Sequence, residues 1–336
     1  MKNKSEISIT SPARLHLGFM DLNGSLGRKF GSVGLAIDSI ETSVTVSKKS
    51  VKSDLVINDT NKRAYKYAEL ILKAYEVDET VNIIVHKQIP EHAGLGSGTQ
   101  LALTIGVAIS KLFDLNLSLM DIGKILDRGN RSGIGIGAFE KGGFLIDGGK
   151  GKTAELPPIT VRQDFPENWR IILLINSREK GIHGQKEYKA FKTLKPFPND
   201  LSEKLCRLVN MVILPSLIEK NFKDFSSAIG QLQKIVGTHF SPIQGGVYSN
   251  PDIANIMNYV EKNNFMGVGQ SSWGPTGFIL TDSDTTAHKL VKDIRNNFIC
   301  KDLQIEIIKG RNKGSIVESK ITNSTMQNKN LNNYKE

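Results

Sequence analysis

Apolar and polar residues alternate along several short stretches of the chain, and this period of two predicts β-strands. Near the N-terminus the alternation runs over residues 6–12 and again over 32–48, with a glycine-rich stretch between them that predicts a loop. The same pattern predicts further strands over residues 81–87, 144–146, 169–176, 266–272, 277–281 and 303–308.

Other segments place apolar residues at helical spacing, as Ala64, Tyr67, Ala68 and Ile71 do. The helices predicted in this way cover residues 61–76, 97–113, 119–128, 201–219, 222–235, 251–263 and 285–297. The mixture of strands and helices predicts an α+β fold. We find no internal repeat.

The length of 336 residues suits two domains. Glycine, proline and charged residues cluster over 150–168, where we place the boundary between a first domain (residues 1–160) and a second (residues 161–318). The last residues, 319–336, are rich in Asn, Lys and Ser and lack periodicity. We therefore predict a disordered tail there.

Composition limits the class of protein. Apolar residues make up 39% of the chain and charged residues 23%, which is typical of a globular protein. The two cysteines, Cys206 and Cys300, are far apart and predict neither a disulfide scaffold nor a zinc site. The charged N-terminus has no apolar run behind it, and no stretch approaches the roughly 18 apolar residues of a membrane span. We expect a soluble cytoplasmic protein with no membrane partner.

The charge balance is basic, with 44 Lys and Arg against 34 Asp and Glu, a net charge of +10. Such an excess fits a phosphorylated substrate, a nucleic acid or a generally basic surface. The chain has no dense Lys/Arg block with interleaved aromatic residues and no zinc-finger spacing. We therefore expect no nucleic-acid partner.

The sharpest motif is Pro90-Glu91-His92-Ala93-Gly94-Leu95-Gly96-Ser97-Gly98-Thr99-Gln100, which we call the glycine loop (residues 90–100). Its glycines allow close approach of the backbone to a ligand. An apolar helix is predicted directly behind it, and the N-terminus of a helix attracts anions. The motif predicts phosphate binding by Gly94, Leu95, Gly96, Ser97, Gly98 and Thr99, and it is neither a Walker loop nor a Rossmann fingerprint.

This loop resembles the second motif of the GHMP kinase superfamily, Pro-x-x-x-Gly-Leu-Gly-Ser-Ser/Gly. Ser11-Pro12-Ala13-Arg14 resembles the first motif, and residues 267–277, which we call the late glycine loop, loosely resemble the third. The three motifs occur in order at fitting spacing, and the resemblance covers about residues 5–310. The resemblance implies a ribosomal-protein-S5-like N-terminal domain, a ferredoxin-like C-terminal domain, and a ligand bound between them.

Kinase activity is the first function that this resemblance implies, but one segment departs from it. Sugar and mevalonate kinases of the superfamily carry Gly-Asn-Pro-Ser-Gly-x-Asp, whose Asp is a candidate base. Here the segment is Gly129-Asn130-Arg131-Ser132-Gly133-Ile134-Gly135. Gly135 takes no proton, and Arg131 adds a cation. Homoserine kinases work without this Asp, so an ATP-dependent small-molecule kinase stays open as the alternative.

Two further blocks resemble one branch of the superfamily, the β-ribofuranosylaminobenzene 5′-phosphate synthases. They are residues 14–28 and residues 132–149, and Gly181-Ile182-His183-Gly184 with Glu187 resembles a third. The branch implies a decarboxylating phosphoribosyltransferase of methanopterin biosynthesis in archaea and some one-carbon-using bacteria. It would join phosphoribosyl diphosphate to 4-hydroxybenzoate or 4-aminobenzoate, releasing CO2 and pyrophosphate. It also implies a homodimer.

Residues inside these motifs are the candidates for the chemistry. We expect Arg14, Arg28 and Arg131 to hold phosphate or carboxylate groups, and Asp21 to bind magnesium or a ribose hydroxyl. His16 and His183 are candidates to donate to a leaving phosphate or to take the proton of a para hydroxyl. Glu140 and Asp147 are candidate Mg²⁺ ligands. Ser132 is a candidate phosphate ligand, and Ser271, Ser272, Trp273 and Thr276 are expected to line the second wall of the cleft.

Each candidate also has a purely structural interpretation. An arginine in a loop is often a solvated surface residue, Asp147 is placed to cap a turn before Gly148, and Glu140 is placed to pair with Lys141. A third class of function, a non-catalytic phosphate- or nucleic-acid-binding protein, is motivated by the net charge alone.

Overall fold

Two long antiparallel strands form the centre of the N-terminal half. β1 (Lys4–Asp21) pairs with β2 (Arg28–Lys48) along most of its length, with register shifts at Pro12/Ala13 and His16/Gly18. The loop predicted over the glycine-rich stretch is shorter than expected and covers only residues 22–27. The strands extend into the rest of the stretch because the shifts in register absorb residues that break the alternation of apolar and polar positions.

The structure is a computed structural model that describes residues 4–48, 55–57, 62–152, 156–176, 178, 181 and 193–321. Within these residues β1 and β2 belong to an eight-stranded sheet ordered β12-β1-β2-β4-β3, with β5 and β6 beside β2 and β7 beside β5. The remaining strands of this sheet are β3 (Leu55–Ile57), β4 (Val81–Lys87), β5 (Phe144–Asp147), β6 (Lys150–Gly151), β7 (Ile159–Gln163) and β12 (Ile316–Ile321).

Helices cover one face of this sheet. They are α1 (Arg63–Ala74), α2 (Ser97–Leu112), α3 (Leu119–Ile125) and α4 (Ile134–Glu140). Residues buried along α2, such as Leu101 and Ile105, pack in one apolar cluster with Ile7 and Val44 of the central strands. The low charge of α2 in the sequence is thus explained by burial on several sides.

The C-terminal half carries a four-stranded antiparallel sheet, ordered β11-β8-β10-β9. Its strands are β8 (Arg170–Asn176), β9 (Val268–Gln270), β10 (Thr276–Thr281) and β11 (Leu303–Ile308). The chain connects them as strand, helices, strand, strand, helix, strand, which is the ferredoxin-like arrangement. The predicted α+β fold with a ferredoxin-like second half is confirmed.

The helices of this half are α5 (Asn199–Leu208), which continues through a π-helical turn (Val209–Ile213) into α6 (Leu214–Ile218), then α7 (Phe222–Gln244), α8 (Pro251–Lys262) and α9 (Asp284–Asn297). One apolar cluster joins Leu15 and Leu17 of β1 to Leu173 of β8 and Phe225 of α7. The two halves therefore share a core, which fixes the cleft between them.

β7 pairs with β5 of the first sheet, so the chain crosses between the halves after Gln163, inside the region 150–168 where the boundary was predicted. β12 returns to the first sheet and pairs with β1 from Ile316 to Ile321, so the predicted tail boundary at 319 falls inside a strand. The side chains of β12 are exposed, which left no apolar pattern for the sequence to show. No helix in the described part of the chain is long and apolar enough to cross a membrane.

Candidate active site

The glycine loop makes a sharp turn into α2. Gly94 and Gly96 have φ of 81° and 88°, a left-handed conformation that glycine adopts without strain. A Cβ at Gly94 would lie 2.2 Å from the carbonyl oxygen of Ser271, so the late glycine loop also leaves no room for a side chain there. Both halves of the protein therefore meet at this turn.

The start of α2 presents N–H groups to the cleft. Gln100 N donates to Gly96 O at 3.0 Å as the first intrahelical bond of this turn. The N–H groups of Ser97, Gly98 and Thr99 precede it and have no intrahelical acceptor. Together with the positive end of the helix dipole they form a binding site for an anion.

Arg14 crosses this turn from β1. Its backbone N–H donates to Leu95 O at 3.1 Å, and its Nη1 donates to Gly94 O at 2.5 Å. A Cβ at Gly96 would lie 3.3 Å from the Arg14 side chain, so the guanidinium lies directly against the loop. The structure thus brings the first and second motifs together as a cationic backbone cradle.

Two further arginines reach the same turn and were missed in the sequence. A Cβ built at Gly98 would lie 3.7 Å from Nη1 of Arg63 and 3.7 Å from Nη1 of Arg128. Arg63 opens α1 and carries no motif. Arg128 directly precedes Gly129 of the segment that departs from the kinase motif, and this neighbourhood is the one feature of the sequence that could have indicated it.

A hydrogen-bonded chain links the cradle to the late glycine loop. Ser271 Oγ donates to Gly94 O at 2.7 Å and accepts from the backbone N–H of His16 at 3.0 Å. Ser272 N donates to His16 O at 3.3 Å. Of the predicted second wall, Ser271, Ser272 and Trp273 therefore lie beside β1.

An apolar pocket opens on the other side of the hydrogen bonds that link Gly94, Ser271 and His16. Its walls include His16, Phe19, Phe240 and Trp273, and the cavity volume between them is about 30 Å³. The rings pack closely, with centroids 4.6 Å apart for His16 and Phe19 and 4.4 Å apart for Phe240 and Trp273. The side-chain amides of Gln233, Gln244 and Gln270 add polar groups to the lining. We call this the aromatic pocket; its apolar lining suits a small aromatic ring, for which the side chains of its walls must move apart.

His16 is the titratable group of the aromatic pocket. The side chain is 4% exposed, and its Nε2 has no hydrogen-bond partner in the protein. Burial, helped by the nearby Arg14 charge, lowers the pKa of His16 to about 3. The ring is therefore neutral at pH 7 and can hydrogen-bond a substrate group through Nε2, and its role toward a leaving phosphate or a para hydroxyl stays a prediction.

The pKa of His16 predicts a pH dependence of stability. Between pH 6.5 and about 3 the unfolded chain binds a proton at this residue and the folded protein does not, so stability falls as the pH falls through this window. At pH 5 we expect a loss of about 2 kcal/mol from this residue. Urea unfolding of wild type and His16→Gln at pH 7.5 and 5 measures it; parallel pH profiles would contradict the assignment.

Asp147 has a structural role and is not a metal ligand, because protein donors occupy both of its oxygens. Oδ1 accepts from the backbone N–H groups of Ser32 and Gly149, and Oδ2 accepts from Gly133 N and Ser132 Oγ. Burial raises the pKa of the Asp147 carboxyl, while these donors act to lower it. The side chain fixes the loop that precedes α4.

Three other candidates also have structural partners. Asp21 Oδ1 accepts from Asn23 N, Gly24 N and Ser202 Oγ, which shapes the turn after β1. The exposed Arg28 donates to the carbonyls of Gly148 and Gly149, at 2.7 Å each, instead of pointing at the cradle. Glu140 is exposed and lies 3.8 Å from Lys141 Nζ. The described residues contain no group of three or more His, Cys, Asp or Glu that could hold a metal ion.

The segment of residues 129–135, which departs from the kinase motif, packs directly on the cradle. Gln100 Nε2 donates to Gly135 O at 2.8 Å, and a Cβ at Gly135 would lie 2.8 Å from Thr99 Cγ2. An Asp at this position would therefore clash with Thr99. Arg131 lies half-buried in the same loop, and its contact with a phosphate stays a prediction. His183 lies outside the described residues, as does most of the motif around it.

Comparison with known proteins places this fold and site in a class. Residues 62–143 match the GHMP kinases N terminal domain, and residues 213–300 match the GHMP kinases C terminal family. Among solved structures, mevalonate diphosphate decarboxylase from Staphylococcus aureus has a TM-score of 0.67, with 14% identity over 94% of this chain and 98% of that one. Homoserine kinase from Cytophaga hutchinsonii has a TM-score of 0.64, with 15% identity over 95% and 99%. These likenesses establish the GHMP fold.

Curated relatives narrow the class. The chain is 36% identical to beta-ribofuranosylphenol 5′-phosphate synthase of Methanocaldococcus jannaschii, over 84% of this chain and 91% of that protein. It is 32% identical to the protein of the same name from Archaeoglobus fulgidus, over 93% and 99%. A 4-diphosphocytidyl-2-C-methyl-D-erythritol kinase of Nostoc punctiforme is 21% identical. The chain belongs to the beta-ribofuranosylphenol 5′-phosphate synthase family.

Proposed function

We propose that this protein is a pentosyltransferase that joins phosphoribosyl diphosphate to 4-hydroxybenzoate, giving an aryl C-riboside 5′-phosphate, CO2 and pyrophosphate. The observation that carries the proposal is the anion cradle at Gly96 and Arg14 directly beside an aromatic pocket. The relatives at 30–36% identity are named for a phenol product, which favours the hydroxy acid over 4-aminobenzoate.

The reaction balances as a substitution at the sugar followed by decarboxylation. The ring carbon that carries the carboxylate bonds to C1 of the ribose as the C1–O bond to the diphosphate breaks, and the diphosphate takes that electron pair. The bond to the carboxylate then breaks, CO2 leaves, and its electron pair restores the aromatic ring. The protein must bind the departing diphosphate, keep water from the cationic sugar and stabilise charge at the para oxygen.

The residues of the cleft suit these three tasks. The N–H groups at the start of α2 and the Arg14 guanidinium offset the charge of the phosphates. Phe240 and Trp273 enclose the ring and exclude water. The neutral His16, with Nε2 unpartnered in the pocket, is placed to hydrogen-bond the para hydroxyl as its acidity rises.

We expect magnesium to take part through the substrate. Mg²⁺ commonly binds one or two carboxylates together with substrate phosphates, and the described residues offer no acidic cluster for a resident ion. The hydroxyls of Ser97 and Thr99, at the start of α2, are the protein groups best placed to assist the diphosphate oxygens in holding it. Bound there, the ion would withdraw charge from the leaving group.

A kinase that uses an Asp base at residue 135 is excluded by the glycine there and by Thr99, which occupies the space of such a side chain, but a kinase without this base is not. The kinase alternative is not favoured because the named kinases are more distant relatives in sequence than the synthases. By resemblance we further propose a cytoplasmic homodimer that acts in methanopterin biosynthesis. Light scattering during size-exclusion chromatography tests the dimer.

A radiochemical assay tests the activity. The protein is incubated with phosphoribosyl diphosphate, Mg²⁺ and carboxyl-labelled 4-hydroxybenzoate or 4-aminobenzoate. We expect labelled CO2 and pyrophosphate in equal amounts with the hydroxy acid, and loss of turnover when EDTA removes the metal. Release of CO2 from 4-aminobenzoate alone would identify 4-aminobenzoate as the substrate. Release from neither acid would refute the proposal.

A further inference from the structure

We propose that Arg63 and Arg128 form a second anion subsite above Gly98, and that this subsite binds the terminal phosphate of the diphosphate group. The inference rests on the proposed function for the identity of the ligand. The arginine pair, its anchoring and its approach to Gly98 are observations of the structure alone.

Arg63 and Arg128 are each anchored by a hydrogen bond from Nη2, and Nη1 of each lies near Gly98. Arg63 Nη2 donates to Glu91 Oε1 at 2.5 Å, and Arg128 Nη2 donates to Tyr67 Oη at 2.6 Å. In each case Nη1 points to the space over Gly98. The Nε atoms of both residues are buried and have no hydrogen-bond partner in the protein. Buried donors without partners are costly, so a ligand with several acceptor oxygens is expected here.

The charges around this point are unbalanced. Two guanidinium groups converge on one spot at the positive end of α2, and the single carboxylate paired with them in the described part of the chain, Glu91 on Arg63, offsets only one of the two charges. Like charges so close together repel each other strongly where water is partly excluded. A multiply charged anion between them removes this repulsion, whereas an uncharged ligand does not.

Gly98 has no structural reason to be glycine. Its φ is not in the left-handed region, and a Cβ there would touch nothing closer than 3.7 Å. Gly94 and Gly135 differ, since a Cβ at either would lie within 3 Å of protein atoms. Alanine is also the better helix former. Packing within the protein therefore does not require glycine at residue 98, and a ligand bound at the arginine pair would account for the missing side chain.

The order of contacts along the loop assigns the phosphate. Gly94 touches the late glycine loop beside the aromatic pocket, Gly96 touches Arg14, and Gly98 faces Arg63 and Arg128. A benzoate ring in the pocket must face C1 of the ribose, and the diphosphate extends from C1 away from the ring. The inner phosphate then falls at Arg14 and the outer phosphate at the arginine pair.

Calorimetric titration with inorganic pyrophosphate tests the subsite without requiring turnover. We expect Arg63→Gln and Arg128→Gln each to weaken pyrophosphate binding at least about tenfold, while inhibition by ribose 5-phosphate changes less than about twofold. Arg295→Gln, an exposed arginine on α9, is the matched control and should bind as wild type does. Unchanged pyrophosphate affinity in both glutamine variants would overturn the inference.

Gly98→Ala separates binding from folding. We expect a melting temperature equal to or above that of wild type, with pyrophosphate binding weakened by a similar factor, because the methyl group occupies ligand space. A variant that binds pyrophosphate normally would contradict the inference. If pyrophosphate binding behaves as expected but no CO2 is released in the assay above, the proposed function fails and the subsite stands.

Discussion

Replacing Asp147 with alanine is expected to destabilise the protein by about 4 kcal/mol or more, because three backbone N–H groups and the Ser132 hydroxyl would lose their acceptor. The residue is fully buried, so water does not replace the carboxylate. The loop before α4 would then lose its anchor, and with it the surface that packs on Thr99. Urea unfolding followed by circular dichroism measures the change.

Glu140→Ala is the matched control, since the same sequence motif suggested both carboxylates as magnesium ligands. Glu140 is exposed and pairs only loosely with Lys141, so we expect its loss to change stability by less than about 0.5 kcal/mol. If Asp147→Ala unfolds at the wild-type midpoint, the structural role of Asp147 is contradicted. If Glu140→Ala keeps its fold but loses activation by magnesium, Glu140 is a metal ligand after all.

The sequence predicted elements well where the signal was local. α8 (Pro251–Lys262) begins and ends within a residue of its prediction, because Asn250 caps it and its apolar face repeats regularly. The β1–β2 hairpin was only half predicted, since its register shifts interrupt the alternation that identifies a strand. β12 was missed because it stabilises the sheet through backbone pairing and buries no side chain.

The residues of the site were likewise predicted where they lie in local motifs and missed where only the fold brings them together. Gly94, Gly96 and Arg14 lie in local motifs, and the sequence pointed to them. Arg63 and Arg128 reach Gly98 only through tertiary packing, so no spacing in the chain indicates them. For Asp147 the sequence suggested too much, because a carboxylate beside glycines is typical of a ligand-binding residue. Its structural role follows from hydrogen-bond donors in β2, in the loop before α4 and in the turn after β5, which the sequence does not place beside it.

Arg14 is the side chain whose loss we expect to affect turnover most. Arg14→Ala should lower kcat/KM by about 10²- to 10³-fold, because its guanidinium is the cation held against Gly96 where the phosphate charge develops. The fold should survive, since the backbone N–H of residue 14 still donates to Leu95 O and the chain there stays in β1. Steady-state kinetics with varied phosphoribosyl diphosphate measures the loss.

A second readout distinguishes an electrostatic role from a merely structural one. The Arg14 charge adds to burial in lowering the pKa of His16, so removing it should raise that pKa from about 3. NMR titration of the His16 ring in Arg14→Ala and Arg14→Lys follows the shift. Lysine keeps the charge but loses the planar fork that bonds Gly94 O, so Arg14→Lys should hold the pKa of His16 low while recovering little activity. If lysine restores full activity, charge alone is sufficient at this position and the planar guanidinium is not required.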